Sequence, residues 1–355
     1  MNPLFFQWTD IPHRGRGLTF DDVLIIPSKS EVRSRRDPKL TSQLTKTKSI
    51  ETPILSANMD TITEYDMAFA MHQMGAIGIL HRFVTIQEQA QFVAQLKTQG
   101  VNHIAASIGV NDDYQERAKA LIQAGANIIT IDIAHGHSVL MMDVMKWMKD
   151  KFPTVDLIAG NVATPDAVVD LIEAGADAIK VGIGPGSMCT TRIITGAGVP
   201  QLTAIAMCAQ AAAPYQVPVI ADGGIKTSGD IVKAFAAGAS TVMLGSMLSG
   251  TIETPGEIKH GRKQYRGMAS RAAQESWRGG VPTGMAPEGE STYVSVKGHV
   301  KDVISELTGG IRSGMSYVNA NQLSEIKDKA RFIEMSSAGV FESRAHGLSD
   351  QKFSS

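Results

Sequence analysis

The residues with the most chemical potential lie in Lys180-Val-Gly-Ile-Gly-Pro-Gly-Ser-Met-Cys-Thr-Thr-Arg192. A buried-type strand runs straight into a glycine-rich loop. That loop presents Cys189 beside two hydroxyls, Thr190 and Thr191. Glycines let backbone amides approach an anion closely. A free cysteine is usually a small core hydrophobe, but one held on such a loop has the setting of a nucleophile. The expected chemistry is a sulfur attacking a phosphorylated substrate that the loop holds. The other cysteine, Cys208, lies on a helical apolar face, Leu202-Thr-Ala-Ile-Ala-Met-Cys-Ala-Gln, and reads as core.

Further polar residues follow apolar runs. Asp222-Gly-Gly224 comes after Val217-Pro-Val-Ile-Ala. There Asp222 can accept from two sugar hydroxyls while Gly223 and Gly224 expose amides to a phosphate, and Gly245-Ser246 repeats that chemistry. Asp132-Ile-Ala-His-Gly-His137 sets two histidines two apart, but no carboxylate cluster completes a metal site, so Asp132 reads as a polar contact. Glu288 in Pro287-Glu-Gly289 is either a solvated turn acid or, on a lid, a group that moves protons. The 17 methionines read mostly as core filler, with Met268 lining a pocket.

These residues need elements to position them. Eight short apolar runs recur: Pro53–Met59, Ala76–Arg82, His103–Val110, Asn127–Ala134, Asp156–Val162, Ala178–Gly184, Pro218–Gly224 and Thr241–Met247. Gln73-Met-Gly-Ala, Gln123-Ala-Gly-Ala, Glu173-Ala-Gly-Ala and Ala236-Ala-Gly-Ala each precede one of them, a glycine ending a helix before a short turn feeds a strand. This is an internal βα repeat. Near-continuous apolar strands alternating with helices predict an α/β fold with a parallel sheet covered by helices. Eight is the closure number of the (β/α)8 TIM barrel. The rival, a doubly wound open sheet, lacks a strand leading into Gly-x-Gly-x-x-Gly with an acid about 20 residues on. Barrels place chemistry at the C-terminal strand ends. There the chain has Asn58-Met-Asp60, His81-Arg82, Gly109, Asp132, Gly160-Asn161, Gly182–Gly186, Asp222-Gly-Gly224 and Gly245-Ser246. Two segments break the repeat, a cysteine loop over 185–200 and a Gly-, Pro- and charge-rich insertion over 250–310, and long irregular segments are usually lids or binding loops.

Composition narrows the classes. The chain has 355 residues, formal net charge −1 and 43% hydrophobic residues, which suits a soluble globular enzyme. Near-zero charge argues against a nucleic-acid protein, and Arg33-Ser-Arg-Arg36 reads as a solvated loop. No apolar run reaches the ~18–20 residues that span a bilayer. The N-terminal Met1-Asn-Pro-Leu-Phe-Phe-Gln-Trp lacks the basic start and long apolar core of a signal peptide. Two cysteines build no disulfide framework, so a cytoplasmic home is expected, where a reactive thiol persists.

The motifs Leu18-Thr-Phe-Asp-Asp-Val-Leu24, Ala57-Asn-Met-Asp-Thr61, Ala159-Gly-Asn-Val162, Gly182–Arg192, Ala221-Asp-Gly-Gly-Ile225, Tyr265-Arg-Gly-Met268 and Pro287-Glu-Gly289 together resemble the inosine monophosphate dehydrogenase / guanosine monophosphate reductase family over nearly the whole length. The resemblance implies a single (β/α)8 barrel over 1–355, usually tetrameric, acting on C2 of a purine nucleotide through a cysteine adduct. It implies Cys189 as nucleophile and Thr191 with Glu288 as a proton-transfer pair. Ser187, Gly224, Gly245, Ser246 and Tyr265 would hold the phosphate and Asp222 the ribose. Gly223 and Gly267 belong to the same substrate site, and Met268, Ser270 and Glu288 would face the base. Asn58, Asp132 and Ala134 would meet the nicotinamide cofactor. The carbonyls of Gly184, Gly186 and Cys189 resemble a potassium loop, with Glu342, Ser343 and Arg344 as a neighbouring subunit's share.

Within the family two activities compete. Dehydrogenases usually carry a CBS module between the second and third strands, and here only a helix-length linker, Thr85–Val101, fills that gap. Dehydrogenase flaps carry an Arg-Tyr pair that activates water, and Ser270–Gly289 contains no such pair. Its Gly-Gly-Val and Glu-Gly layout, Asn58 and Ile133-Ala134 look reductase-like. Thr190-Thr-Arg-Ile-Ile-Thr-Gly and Ser337-Ala-Gly-Val-Phe-Glu-Ser343 instead resemble bacterial dehydrogenases, and Met285 and Pro287 stand where reductases often have arginine and serine. The resulting expectation is a GMP reductase using NADPH. The alternatives are a dehydrogenase without the CBS module that oxidises IMP with NAD, Arg278 of Trp277-Arg278 activating water, and a nucleotide-binding paralogue without catalysis.

Overall fold

The computed structural model describes residues 4–111 and 113–343. Eight strands close into a barrel: β1 (Ile54–Ser56), β2 (Ile77–Leu80), β3 (Ala105–Ile108), β4 (Ile128–Asp132), β5 (Asp156–Val162), β6 (Ala178–Val181), β7 (Val219–Asp222) and β8 (Thr241–Leu244). Neighbours run parallel throughout, β8 pairing with β1 to complete the ring. Each observed strand lies within an expected run, and most are shorter because the terminal residues turn into loops at the rim. A helix follows each strand: α1 (Tyr65–Gln73), α2 (Ile86–Thr98), α3 (Tyr114–Ala124), α4 (Val139–Lys151), α5 (Pro165–Glu173), α6 (Gln201–Ala212), α7 (Ser228–Ala236) and α8 (Val300–Tyr317). The four expected helix-ending glycines, Gly75, Gly125, Gly175 and Gly238, all have positive φ.

Strand residues alternate between two cores. Leu55, Ile77, Ile79, Ala105, Ile128, Ile158, Ala178, Ile220 and Met243 pack inside the barrel. Ile54, Leu80, Ile129, Leu157, Ile179 and Val242 point outward against Met67, Val93, Leu121, Met145, Leu171, Ile205 and Phe235 of the helices. This period-two partition is what parallel strands buried on both faces require. Cys208 is fully buried in the outer layer, and burial pushes its thiol up to about 12.

A hairpin, Ser42–Gln43 with Ser49–Ile50, closes the N-terminal mouth by inserting Leu44 and Ile50 among the interior side chains. Between β2 and β3 the chain holds α2 and its turns, capped by a Thr85–Glu88 box. The insertion after β8 forms an antiparallel pair, Arg262–Arg266 with Ser291–Ser295, around a helix, Arg271–Arg278. The expected span of 250–310 ran too far. Its last residues belong to α8, whose Val300, Ile304, Leu307 and Ile311 are buried in the outer core, a helical stripe masked in the sequence by Gly309 and Gly310. No helix among the described residues is long and apolar enough to cross a membrane.

Candidate active site

At the end of β6 the chain turns sharply. Gly182 sits at φ +153°, and a Cβ there would collide with the Asp222 carbonyl oxygen on β7, so only glycine fits. The loop then closes on itself, the Cys189 amide donating to the Gly186 carbonyl at 3.0 Å. It is also zipped to the flap. The Glu290 amide donates to the Met188 carbonyl at 2.9 Å, and the Thr190 amide to the Glu288 carbonyl at 3.2 Å. Cys189 and Gly289 pair as an antiparallel bridge.

That zipper sets a three-residue chain. The Cys189 thiol donates to Thr191 Oγ1 at 3.1 Å, and the Thr191 hydroxyl donates to Glu288 Oε2 at 2.8 Å. The arrangement joins a thiol through one hydroxyl to a carboxylate, a path along which a proton can move. Glu288 is half-buried on the flap and accepts from Thr191 rather than standing free in solvent.

A cavity of about 400 Å³ opens over these groups. Cys189, Thr191 and Glu288 line it together with Ser187, Tyr265, Gly267 and Met268. Tyr265 shares a hydrogen bond of 3.2 Å with Ser187, and burial raises its phenol pKa above the ordinary value despite that bond. Gly245 lies under Tyr265, where a Cβ would come within 3.1 Å of the phenol oxygen. Ser246 also hydrogen-bonds Tyr265. Gly223 and Gly224 pack against Pro185 of the cysteine loop. Ser270 departs from expectation: it is 1% exposed and its hydroxyl caps the helix Arg271–Arg278 by accepting from the Ala273 amide, so it is not on the cavity wall.

The floor carries a buried polar network that the sequence reading missed. Lys180 projects from the middle of β6 with its side chain 3% exposed. Its ammonium donates to Asp132 Oδ1 at 2.9 Å, to Asp222 Oδ2 at 2.9 Å and to Asn161 Oδ1. Asn161 Nδ2 donates to Asp222 Oδ2 at 2.9 Å and to the Gly182 carbonyl at 2.8 Å. A bulge in β5 opposite Lys180 and Val181 supplies the extra residue, Asn161, that reaches this network. Burial disfavours the Lys180 charge, but Asp132 and Asp222 outweigh it and hold the pKa well above the usual lysine value. Burial likewise opposes ionisation of Asp132, and Lys180, Arg82 and Asn58 reverse that, leaving its pKa below the carboxylate norm. The available signal was a lysine inside an apolar strand, Ala178-Ile-Lys-Val181.

Beside Asn58, Asp132 and Ala134, the wall continues into Arg82, Phe83, Trp277 and Arg278. Arg82 stacks on Phe83 at 4.7 Å, Phe83 meets Trp277 at 5.2 Å and Arg278 covers Trp277 at 4.2 Å. Aromatic faces edged by guanidinium groups suit a flat ring system bearing phosphates. His137 pairs with Asp170 at 2.8 Å, and no cluster of metal-ligating side chains occurs among the described residues. Of the three carbonyls expected to form a potassium loop, Gly184, Gly186 and Cys189, that of Gly186 accepts from the Cys189 amide at 3.0 Å. Glu342 and Ser343 end a helix, Ser343 donating back to the Gly339 carbonyl, and Arg344 lies outside the described residues.

Comparison with known proteins shows the family and the fold. A family model described as the IMP dehydrogenase / GMP reductase domain matches residues 17–346. An inosine-5'-monophosphate dehydrogenase of Cryptosporidium parvum is 40% identical, over 94% of this chain and 96% of that one. A GMP reductase of Leishmania donovani is 34% identical, over 96% of this chain and 98% of that protein. A crystal structure of a cysteine-to-alanine variant of GMP reductase from Trypanosoma brucei, in complex with guanosine 5'-monophosphate, matches with TM-score 0.88 at 34% identity, covering 94% of this chain and 98% of that one.

Proposed function

Because the chain belongs to the IMP dehydrogenase / GMP reductase family of purine-nucleotide oxidoreductases, we propose that it is a GMP reductase, converting GMP to IMP and ammonia with NADPH. The observation that carries this reading is the flap. It delivers Glu288 to Thr191 and Cys189, yet contains no tyrosine between Gly267 and Glu290 to pair with an arginine and activate water. A covalent adduct in such a site is shielded from hydrolysis and open to reduction.

The nucleotide's phosphate lies on the amides of Gly224, Gly245 and Ser246 with the Ser187 and Tyr265 hydroxyls, and Asp222 accepts from the ribose. Cys189 adds to C2 of the base while its proton passes through Thr191 to Glu288. The same path returns a proton to the exocyclic amine as its bond to C2 breaks, so ammonia leaves and a purine–cysteine adduct remains. Bound NADPH supplies a hydride for C2. As C2 accepts it the carbon–sulfur bond breaks, the electron pair returns to Cys189, and IMP is released. Overall, GMP, NADPH and two protons give IMP, NADP+ and ammonium. Potassium, if bound, would be held by the carbonyls of Gly184, Gly186 and Cys189, and in a homotetramer Glu342, Ser343 and Arg344 of the neighbouring copy would complete that site.

The second reading is an IMP dehydrogenase using NAD. It is favoured by Arg278 on the cavity wall, which would stand in for the absent arginine–tyrosine pair. A paired turnover assay with potassium present separates the two. Oxidation of NADPH by GMP with ammonia release is expected. Reduction of NAD by IMP with XMP formation, and silence with GMP, would overturn the proposal and make Arg278 the next residue to substitute. Nucleotide binding with no turnover in either direction would favour the non-catalytic paralogue.

A further inference from the structure

The Lys180 network joins two halves of the cavity that bind different molecules under the proposed function. Asp222 stands at the end of β7 on the nucleotide side, and Asp132 at the end of β4 on the cofactor side. Between them is a single buried ammonium with three acceptors at its three protons. Asp222 Oδ2 is fully engaged, receiving Lys180 and Asn161, whereas Oδ1 has no protein partner among the described residues. The network therefore turns one defined oxygen of Asp222 toward a ribose hydroxyl. It leaves Lys180 no spare proton: any shift that tightens its bond to one carboxylate loosens its bond to the other.

We propose that Lys180 is a positioning residue coupling the two halves of the site, so that a change at the cofactor-side carboxylate Asp132 alters nucleotide binding through Lys180 and Asp222. The proposal rests on the assignment of Asp222 to the nucleotide and Asp132 to the cofactor. Electrostatic coupling of this kind is strong where the groups are out of water and share a partner. A merely structural lysine would support both strands without transmitting a change from one carboxylate to the other.

The test is a double-mutant cycle read by calorimetric binding of IMP. IMP is product in one direction of the chemistry and substrate in the other, so it probes the site whichever activity holds. Asp132→Asn, in the intact chain without cofactor, should change the IMP Kd by about three-fold or more. In the Lys180→Met background the same Asp132→Asn substitution should leave the Kd unchanged, and in Lys180→Arg, which keeps the charge, the effect should return. If Lys180→Met does not give a native circular dichroism spectrum, Lys180→Gln takes its place in the cycle. An Asp132→Asn effect of equal size with and without the lysine charge overturns the proposal, as does the absence of any effect in the wild-type background. Failure of GMP turnover with an intact cycle would sink the reductase assignment alone. Failure of IMP to bind at all would sink both.

Discussion

At the scale of single residues, the Cys189–Thr191–Glu288 chain makes separable demands. Cys189→Ala removes the sulfur but none of the hydrogen-bonding groups around the nucleotide. Turnover should fall by about 10⁴-fold or more while the IMP Kd stays within a few-fold of wild type. Surviving turnover would rule out the covalent route. Glu288→Gln keeps the size of the side chain and the Thr191 contact but cannot take the proton. A fall in kcat of about 10²- to 10⁴-fold is expected, with little change in nucleotide affinity. If KM rises and kcat holds, Glu288 is a binding residue only. Much of this chain was legible beforehand, because a cysteine among glycines, serine and threonines is an unusual setting for a thiol. Ser270 was not, because the same hydroxyl that can face a base can also cap a helix, and the cap was satisfied three residues on by the Ala273 amide.

At the scale of elements, the two mouths of the barrel are held in different ways. At the N-terminal mouth the turn of the plugging hairpin clasps Asp156 at the start of β5. The hydroxyls of Thr45 and Thr47 donate to one carboxylate oxygen, the latter at 2.6 Å, and Lys48 pairs with it at 2.9 Å. Burial pushes the Asp156 pKa up, but these hydroxyls and Lys48 outweigh burial and hold it below its ordinary value. The unfolded chain, with a carboxyl pKa of about 3.9, therefore binds the proton first as pH falls. The contribution of Asp156 to stability is complete well above that value and is lost as pH falls below it through the lower pKa of the folded state. Urea midpoints should show a gap between wild type and Asp156→Asn that is widest near pH 7 and narrows below about pH 4; a gap independent of pH would mean that the carboxylate's charge contributes nothing.

At the catalytic mouth the flap helix is pinned by Trp277, which meets Phe83 and takes Arg82 over its indole at 5.9 Å. Aromatic and cation–π contacts are worth about 0.5–1.5 kcal/mol each. Trp277→Ala should raise the cofactor KM by roughly three- to ten-fold while sparing IMP affinity. Equal weakening of both ligands would show that the flap helix orders the whole mouth. The barrel elements were readable because near-continuous apolar runs and helix-ending glycines recur eight and four times. The flap pairing and the start of α8 were not, since Arg262–Arg266 and Ser291–Ser295 are polar strands far apart in sequence and a glycine pair interrupts the helical stripe.

At the scale of the whole molecule, the site belongs to no local segment. Asn58 follows β1, Asp132 ends β4, Asn161 lies in β5, Lys180 in β6, Asp222 ends β7, and Glu288 arrives on the insertion after β8. The eight repeats could be read as a closed ring, and closure is what brings residues 230 positions apart, Asn58 to Glu288, onto one cavity. What could not be read was the cross-strand traffic between those ends, above all the Lys180 network, because a polar side chain in an apolar run does not announce its partners. Assembly from so many strands has a thermodynamic consequence. A ligand that binds only the closed barrel stabilises every strand at once, by about 2.7 kcal/mol at a free concentration 100 times its Kd. Thermal unfolding with IMP should therefore shift as a single transition, and by the same amount in Cys189→Ala, whose binding groups are intact. If IMP raised only one of two transitions, the flap and the barrel would be folding as separate units, and the tight strapping of Cys189 to Gly289 would not be what joins them.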